Sequence, residues 1–225
     1  MPEDLTGATS ALERLDQITR RLRTECPWDR EQDERSIVPH TVEEAYELAD
    51  AALAGDDAKL LDELGDVLFQ VLFLSLLMEE RGAGDLGQVA DHCRQKLVRR
   101  HPHVFGDEVA RNAEEVLANW DTIKSETEGG GLFGDLPENL PATLYARKAQ
   151  RRASRAKAPE GSTPITSEAL EALEAGTERD ERFQAAGDLL FAAVATATSA
   201  GADPELALRA ATDRYISKVK EANSE

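Results

Sequence analysis

Aromatic residues are scarce in this chain, 5% of 225, and no stretch alternates apolar with polar residues over a strand's length. A sandwich or barrel is thereby disfavoured, because aromatic and β-branched residues furnish such cores. Cysteine is nearly missing. Cys26 and Cys93 have neither zinc-ligand spacing nor a disulfide framework, so they read as reduced thiols of a cytoplasmic protein. Basic residues are few, 26 against 44 acidic ones, for a formal charge of −18. Such a chain is repelled by a nucleic-acid polymer or an anionic membrane unless a local basic patch dominates. A small phosphorylated ligand bound through a metal stays open, because the metal supplies the positive charge. No apolar run is long. The best, residues 67–78, contains Gln70 and Ser75 and falls short of the roughly 20 residues a bilayer requires. The start, Met1-Pro2-Glu3-Asp4, has no basic segment followed by an apolar one, so no secretory signal is expected. A phosphate-binding glycine loop is lacking too, and so is the Glu-x-x-His pair of di-iron bundles.

What is present is Ala, Leu, Glu and Arg at helical spacing, which predicts an all-α helical bundle. A first helix is expected over residues 9–24, with Leu12, Leu15, Ile18 and Leu22 on one stripe. The loop opened by Cys26-Pro27-Trp28-Asp29 should last to about His40, where Thr41 and Glu44 have the form of a capping box. A second helix then runs to about Leu53, and Gly55-Asp56-Asp57 turns the chain. The third helix, residues 58–81, becomes apolar on all sides after Asp66, which predicts burial all round. Further helices are expected to end near His101-Pro102 and to cover 113–126. Gly129-Gly130-Gly131 reads as a linker, followed by a basic helix bearing Arg147, Lys148, Arg151, Arg152, Arg155 and Lys157. After a second break at 159–164, helices are expected over 179–199 and 204–222. A faint repeat links Gly65-Asp66-Val67-Leu68-Phe69 to Gly187-Asp188-Leu189-Leu190-Phe191, with Ala185 in the place of Glu63. This divides the chain into 8–128, a linker with the basic helix at 129–164, and a degenerate second half at 165–225.

Glu43, Glu44 and Glu47 form one acidic cluster, and Glu63 with Asp66 forms another. Residues three apart share a helix face, so Glu44 projects with Glu47 and Glu63 with Asp66. A short turn at Gly55 makes the two helices antiparallel neighbours, and the pairs can then face each other. Converging carboxylates raise one another's pKa, and a hard divalent cation relieves the conflict. An all-oxygen site suits Mg²⁺, with Mn²⁺ a possible substitute. The alternative is ordinary solvated acidic faces. Asp66 weighs against it, because the chain continues from there into a segment with no polar face. Lys59 lies one turn before Glu63, and Lys96 lies one turn before Arg100. Each pair suits a phosphate contact, but a simple ion pair or a favourable helix-end charge explains it equally well. Trp28 and Trp120, the only tryptophans, could stack on a base or serve as core or cap residues.

Several segments together resemble the MazG family of nucleoside triphosphate pyrophosphohydrolases. They are Cys26-Pro27-Trp28-Asp29-Arg30-Glu31-Gln32, Glu43-Glu44-Ala45-Tyr46-Glu47, Glu63-Leu64-Gly65-Asp66 and the run from Arg99 to Asp107, with Trp120 and Lys124 spaced behind them. The resemblance implies an all-α homodimer that cleaves nucleoside triphosphates between the α- and β-phosphates, to the monophosphate and pyrophosphate. It further implies Glu44, Glu47, Glu63 and Asp66 as Mg²⁺ ligands. Glu43 would assist by holding a second metal or orienting water. Lys59, Lys96 and Arg100 would grip the triphosphate, with Trp120 and Lys124 near the nucleotide. Nucleotide-pool housecleaning is the role such an activity suggests. The second half departs from the pattern. Ser167-Glu168 with Glu171 is only a remnant of the first acidic cluster, and Ala185 removes a ligand, so this half is expected to be silent. Two rivals remain in view: a non-catalytic helical dimerisation scaffold, and a related all-α hydrolase restricted to dUTP or dCTP.

Overall fold

A computed structural model of the chain describes residues 6–128, 133, 136, 139–155 and 166–222. The glycine break at 129–131 and the break at 159–164 lie outside the described residues. Among those described there are helices and no strands, in agreement with the all-α expectation. No single helix among them is long and apolar enough to cross a membrane. The chain forms two compact units, Met1–Trp120 and Asp121–Glu225.

The first unit contains α1 (Thr6–Glu25), α2 (Pro27–Glu31), α3 (Glu34–Ala54), α4 (Asp57–Glu80), α5 (Leu86–Arg100), α6 (Pro102–Phe105) and the start of α7 (Ala113–Glu128). The seam of α3 and α4 is its centre, with Ile37, Phe73 and Leu77 in one buried cluster and Phe69 and Leu74 packed against it. Phe73 is fully buried, and such burial stabilises the fold by about 1.5–3 kcal/mol. Two caps hold the hairpin's turn. Gly55 takes a left-handed φ of 67° and its N–H returns to the end of α3, while the Asp56 carboxylate accepts from the N–H groups of Ala58 and Lys59 at 3.1 Å. The left-handed conformation suits glycine because no Cβ is there to clash.

Arg23 fastens α1 to its neighbours. Its guanidinium donates to Glu80 on α4 at 2.8 Å, to the Asp29 carbonyl at 2.6 Å and to the Gln32 carbonyl at 3.0 Å. It also sits 5.8 Å from the centre of the Phe73 ring. Arg20 forms a fork with Glu79 at 3.0 and 2.6 Å, and Arg81 reaches Glu34 at 2.7 Å.

Two expectations need correction. The loop predicted to last to His40 is largely helical. Pro27 opens α2 at a position where a helix has no use for its N–H, and Asp33 caps α3 with Ser36 answering it in a reciprocal pair of 2.9 Å bonds. Thr41 is therefore an interior residue and not a cap. Pro39 lies inside α3, where it deprives the Arg35 carbonyl of its helical donor, and Arg35 is at an exposed position. The second correction concerns α4. Burial all round holds only near its end, where Leu72, Phe73, Ser75, Leu76 and Leu77 are buried. On the other face Leu68 and Val71 stay exposed, at 36% and 39%, and they continue a stripe begun before Asp66 by Leu61 and Leu64, at 75% and 50%.

The second unit contains the rest of α7, then α8 (Ala142–Arg155), α9 (Thr166–Ala175), α10 (Arg179–Ser199) and α11 (Pro204–Ala222). Its buried apolar residues are small, Ala169, Ala185, Ala192 and Val194. Polar clamps supplement them: Arg147 pairs with Asp203, Thr143 donates to Glu205, and the Gln150 amide donates to the Phe191 carbonyl at 2.7 Å. Helix α9 is absent from the sequence reading, which saw only a degenerate acidic remnant there. Asp203 caps α11, accepting from the N–H groups of Glu205 and Leu206 at 3.0 and 3.1 Å.

Candidate metal and phosphate site

The hairpin turn determines which carboxylates meet. Glu44 on α3 and Glu63 and Asp66 on α4 bring one oxygen each to within 4.8 Å of one another. The three differ in setting. Glu63 is buried, Glu44 half-buried and Asp66 exposed, so the cluster opens at one side to solvent. Glu47 lies outside that group of three, but its charge acts on both Glu44 and Glu63. Glu43 is an electrostatic neighbour of Glu44. It is largely exposed, with its carboxylate 3.8 Å from His40 Nδ1.

The electrostatics follow from this crowding. Burial first, then the Glu47 charge, pushes the Glu63 carboxyl above the usual range, with Glu44 and Asp66 adding to the effect and Lys59 opposing it. Burial likewise raises Glu44, helped by Asp66, Glu47 and Glu43 and opposed by His40. Lys59 Nζ is 3.9 Å from Glu63 Oε1 and 47% exposed. One solvated ammonium does not balance this much negative charge.

The donor set fits a divalent cation. Oxygens around Mg²⁺ stand at about 2.1 Å from it, hence at most about 4.2 Å from one another. A small side-chain rotation would close the 4.8 Å spread to that limit. All-carboxylate ligation with one open side also leaves room for the waters that Mg²⁺ keeps.

The basic residues divide. Arg100 is buried and stacks over Trp120, 5.2 Å from the ring centre. His101 meets the same indole edge-on at 4.8 Å and holds the Leu97 carbonyl through Nδ1 at 2.7 Å. Arg100 and Trp120 are separate candidates in the sequence, and the fold joins them into one cationic platform. Lys96 is half-buried one turn earlier on α5. The backbone of Lys124 belongs to α7, while its side chain lies outside the described residues.

Sequence reasoning passed over two residues. His40 packs edge-on against Trp28 at 5.9 Å, and Gln70 is buried with its Oε1 lacking a hydrogen-bond partner among the described residues. A lone amide one turn beyond Asp66, in the middle of an apolar run, was the available signal.

The profile of the MazG nucleotide pyrophosphohydrolase domain matches residues 32–105. That span contains the whole carboxylate cluster, Lys59, Lys96 and Arg100. The Escherichia coli (strain K12) nucleoside triphosphate pyrophosphohydrolase is 37% identical over 229 aligned residues, covering 93% of this chain and 86% of that one. The Thermotoga maritima nucleoside triphosphate pyrophosphohydrolase/pyrophosphatase MazG is 36% identical, covering 92% and 84%. An uncharacterized 26.1 kDa protein of Streptomyces cacaoi is 37% identical, covering 97% and 84%. With alignments of this length and identity running through the acidic hairpin, the chain belongs to the MazG family of nucleoside triphosphate pyrophosphohydrolases.

Proposed function

We propose that the chain hydrolyses nucleoside triphosphates to the monophosphate and pyrophosphate as a nucleotide-pool enzyme, with Mg²⁺ held by Glu44, Glu47, Glu63 and Asp66. The observation that carries this reading is the convergence of Glu44, Glu63 and Asp66 at a partly buried place with too little positive charge to balance them. Mg²⁺ bound there supplies charge neutralisation and Lewis acidity toward the triphosphate. The chain's own residues do the rest. Glu43, solvated beside the cluster, orients water and accepts its proton. Lys59 and Lys96 bind phosphate oxygens as mobile point charges. Arg100, fixed on Trp120, offers a planar fork to the same group. Trp120 and Lys124 stand by the nucleotide.

The partner we propose is a second copy of the chain. The exposed stripe Leu61, Leu64, Leu68 and Val71 follows the 3-4-3 spacing of a helix face, and a continuous apolar stripe marks an interaction surface. In the second unit Ala185 stands where the repeat would place an acid, and its Asp188 is exposed. We propose that this half, residues 165–225, is silent and supports the fold, with 8–128 the catalytic part and 129–164 the connection. A cytoplasmic location agrees with free Cys26 and Cys93.

The test is to incubate the protein with each nucleoside triphosphate and Mg²⁺ and identify the products. Pyrophosphate with the monophosphate is expected. Orthophosphate as the only phosphate product overturns the reading, and so does full activity after Asp66→Ala, which a mere scaffold would tolerate.

A further inference from the structure

We infer that Gln70 and His40 form a polar floor that reads the hydrogen-bonding edge of the nucleobase, a specificity device resting on the hydrolase reading above. The register of the α3–α4 seam, counted from two levels, puts His40 and Gln70 at a common height. At one level Glu44 meets Asp66, and at another Ile37 joins Phe73 in the buried cluster. His40 lies between Ile37 and Glu44 on α3, three residues from one and four from the other. Gln70 lies between Asp66 and Phe73 on α4, four residues from one and three from the other. Both belong to the facing stripes, at the same level, one turn from the carboxylates.

Gln70 stands out chemically within the apolar run. Ser75, the run's other polar residue, donates to the Val71 carbonyl at 2.7 Å and is satisfied within its own helix. Gln70 is just as buried, at 6% exposure, yet its Oε1 has no partner among the described residues. A buried acceptor without a partner destabilises a fold, so an apolar residue would serve packing better. An amide carries both donor and acceptor, as does a neutral imidazole, which is the pattern a base edge presents. Trp28 adds the third part. It is 51% exposed and flanks His40 edge-on at 5.9 Å, which leaves an aromatic face available for stacking. Four residues of helix, about 6 Å, separate Asp66 from Gln70, and along this step we place the nucleoside beyond the phosphates.

The test is Gln70→Leu, which keeps size and removes polarity, with His40→Ala as a second variant should the first fold poorly. The four ribonucleoside triphosphates, their deoxy forms and inorganic tripolyphosphate are the probes. In either variant KM is expected to rise about tenfold for at least one base and unequally across the four, with inhibition by tripolyphosphate unchanged. Melting of Gln70→Leu should match or exceed the parent, which a purely structural glutamine would not allow. Three results overturn the inference: an equal change for all bases, weakened tripolyphosphate inhibition in step with KM, or a change confined to ribose against deoxyribose. If the parent releases no pyrophosphate from any nucleotide, the hydrolase reading fails. The base reading is then judged separately, by dissociation constants of α,β-methylene nucleoside triphosphates for parent and variants.

Discussion

The Glu63 carboxylate lies 3.9 Å from the Lys59 ammonium, yet its pKa is raised. Attraction to a solvated lysine is outweighed by burial and by the Glu47, Glu44 and Asp66 charges. Replacement of Glu63 by Gln should therefore act in opposite directions on two readouts. Without divalent cations the variant should melt no lower than the parent, because a buried charge is gone. Addition of Mg²⁺ should stabilise the parent, by about 2.7 kcal/mol at a hundred times the dissociation constant, and leave the variant nearly unmoved. Pyrophosphate release should fall at least about a hundredfold. Thermal melting with EDTA and with Mg²⁺, beside a product assay, decides this. A variant still stabilised like the parent would remove Glu63 from the ligand set.

Arg23 makes a second prediction local to the scaffold. Its side chain is 17% exposed and joins Glu80, two carbonyls and the Phe73 face. Arg23→Ala should lower unfolding free energy by about 2–3 kcal/mol, since charged hydrogen bonds are lost and carbonyls left bare. Arg20→Ala breaks a pair exposed at 41% and 42% and should stay under about 1 kcal/mol. Urea unfolding of both variants tests the ranking, and equal losses would contradict it.

The same pairs set a pH dependence. Hydrogen bonding to Arg20 lowers the Glu79 carboxyl below its usual range, and hydrogen bonding to Arg23 does so for Glu80. With folded values below unfolded ones, the unfolded chain binds more protons in acid. The stabilisation is present above the ordinary glutamate value of 4.5 and disappears as pH falls through the depressed folded values. Comparing the parent with an Arg20→Gln/Arg23→Gln double variant should show a stability gap that is constant near neutrality and closes in acid. A gap that widens in acid would have the wrong sign.

The exposed stripe of α4 predicts an association state. Leu61→Glu places a charge at a position 75% exposed in the single chain. It should scarcely affect that chain's own stability while dissociating the proposed homodimer. Light scattering should then give the 24.6 kDa of one chain for the variant and twice that for the parent. A parent of monomer mass would rule out the second copy.

Much of the site was legible because it is local. The three-residue spacing within each acidic cluster and the turn at Gly55 predict that Glu44 and Glu47 face Glu63 and Asp66; Glu44, Glu63 and Asp66 do meet, while Glu47 lies outside that group. What escaped sequence reading depended on competing local signals or distant contacts. Pro27 read as opening a loop, although it opens α2, and Pro39, within the span of that expected loop, is carried inside α3. Asp33 escaped as a cap because its reciprocal partner is Ser36, whereas a glutamate is the commoner sign. An apolar face shows as apolar whether it meets its own core or faces solvent, so α4 read as buried all round. Arg100 meets Trp120 across an intervening helix and turn, and neither residue's neighbours announce it.

The two-cap turn at Gly55 and Asp56 also bears on how the protein assembles its acidic cluster. The residues from Glu44 to Asp66 are contiguous in the chain, so bringing the acids together closes a short loop. Closure entropy rises by only about 0.6 kcal/mol for each doubling of loop length, but a contact made this locally also forms fast. Lengthening the connection by a single residue would turn α4's face away from α3 before any other part of the molecule noticed. Insertions or tags are better tolerated at Gly106 to Asn112, where the chain is exposed and irregular and the acidic hairpin is untouched.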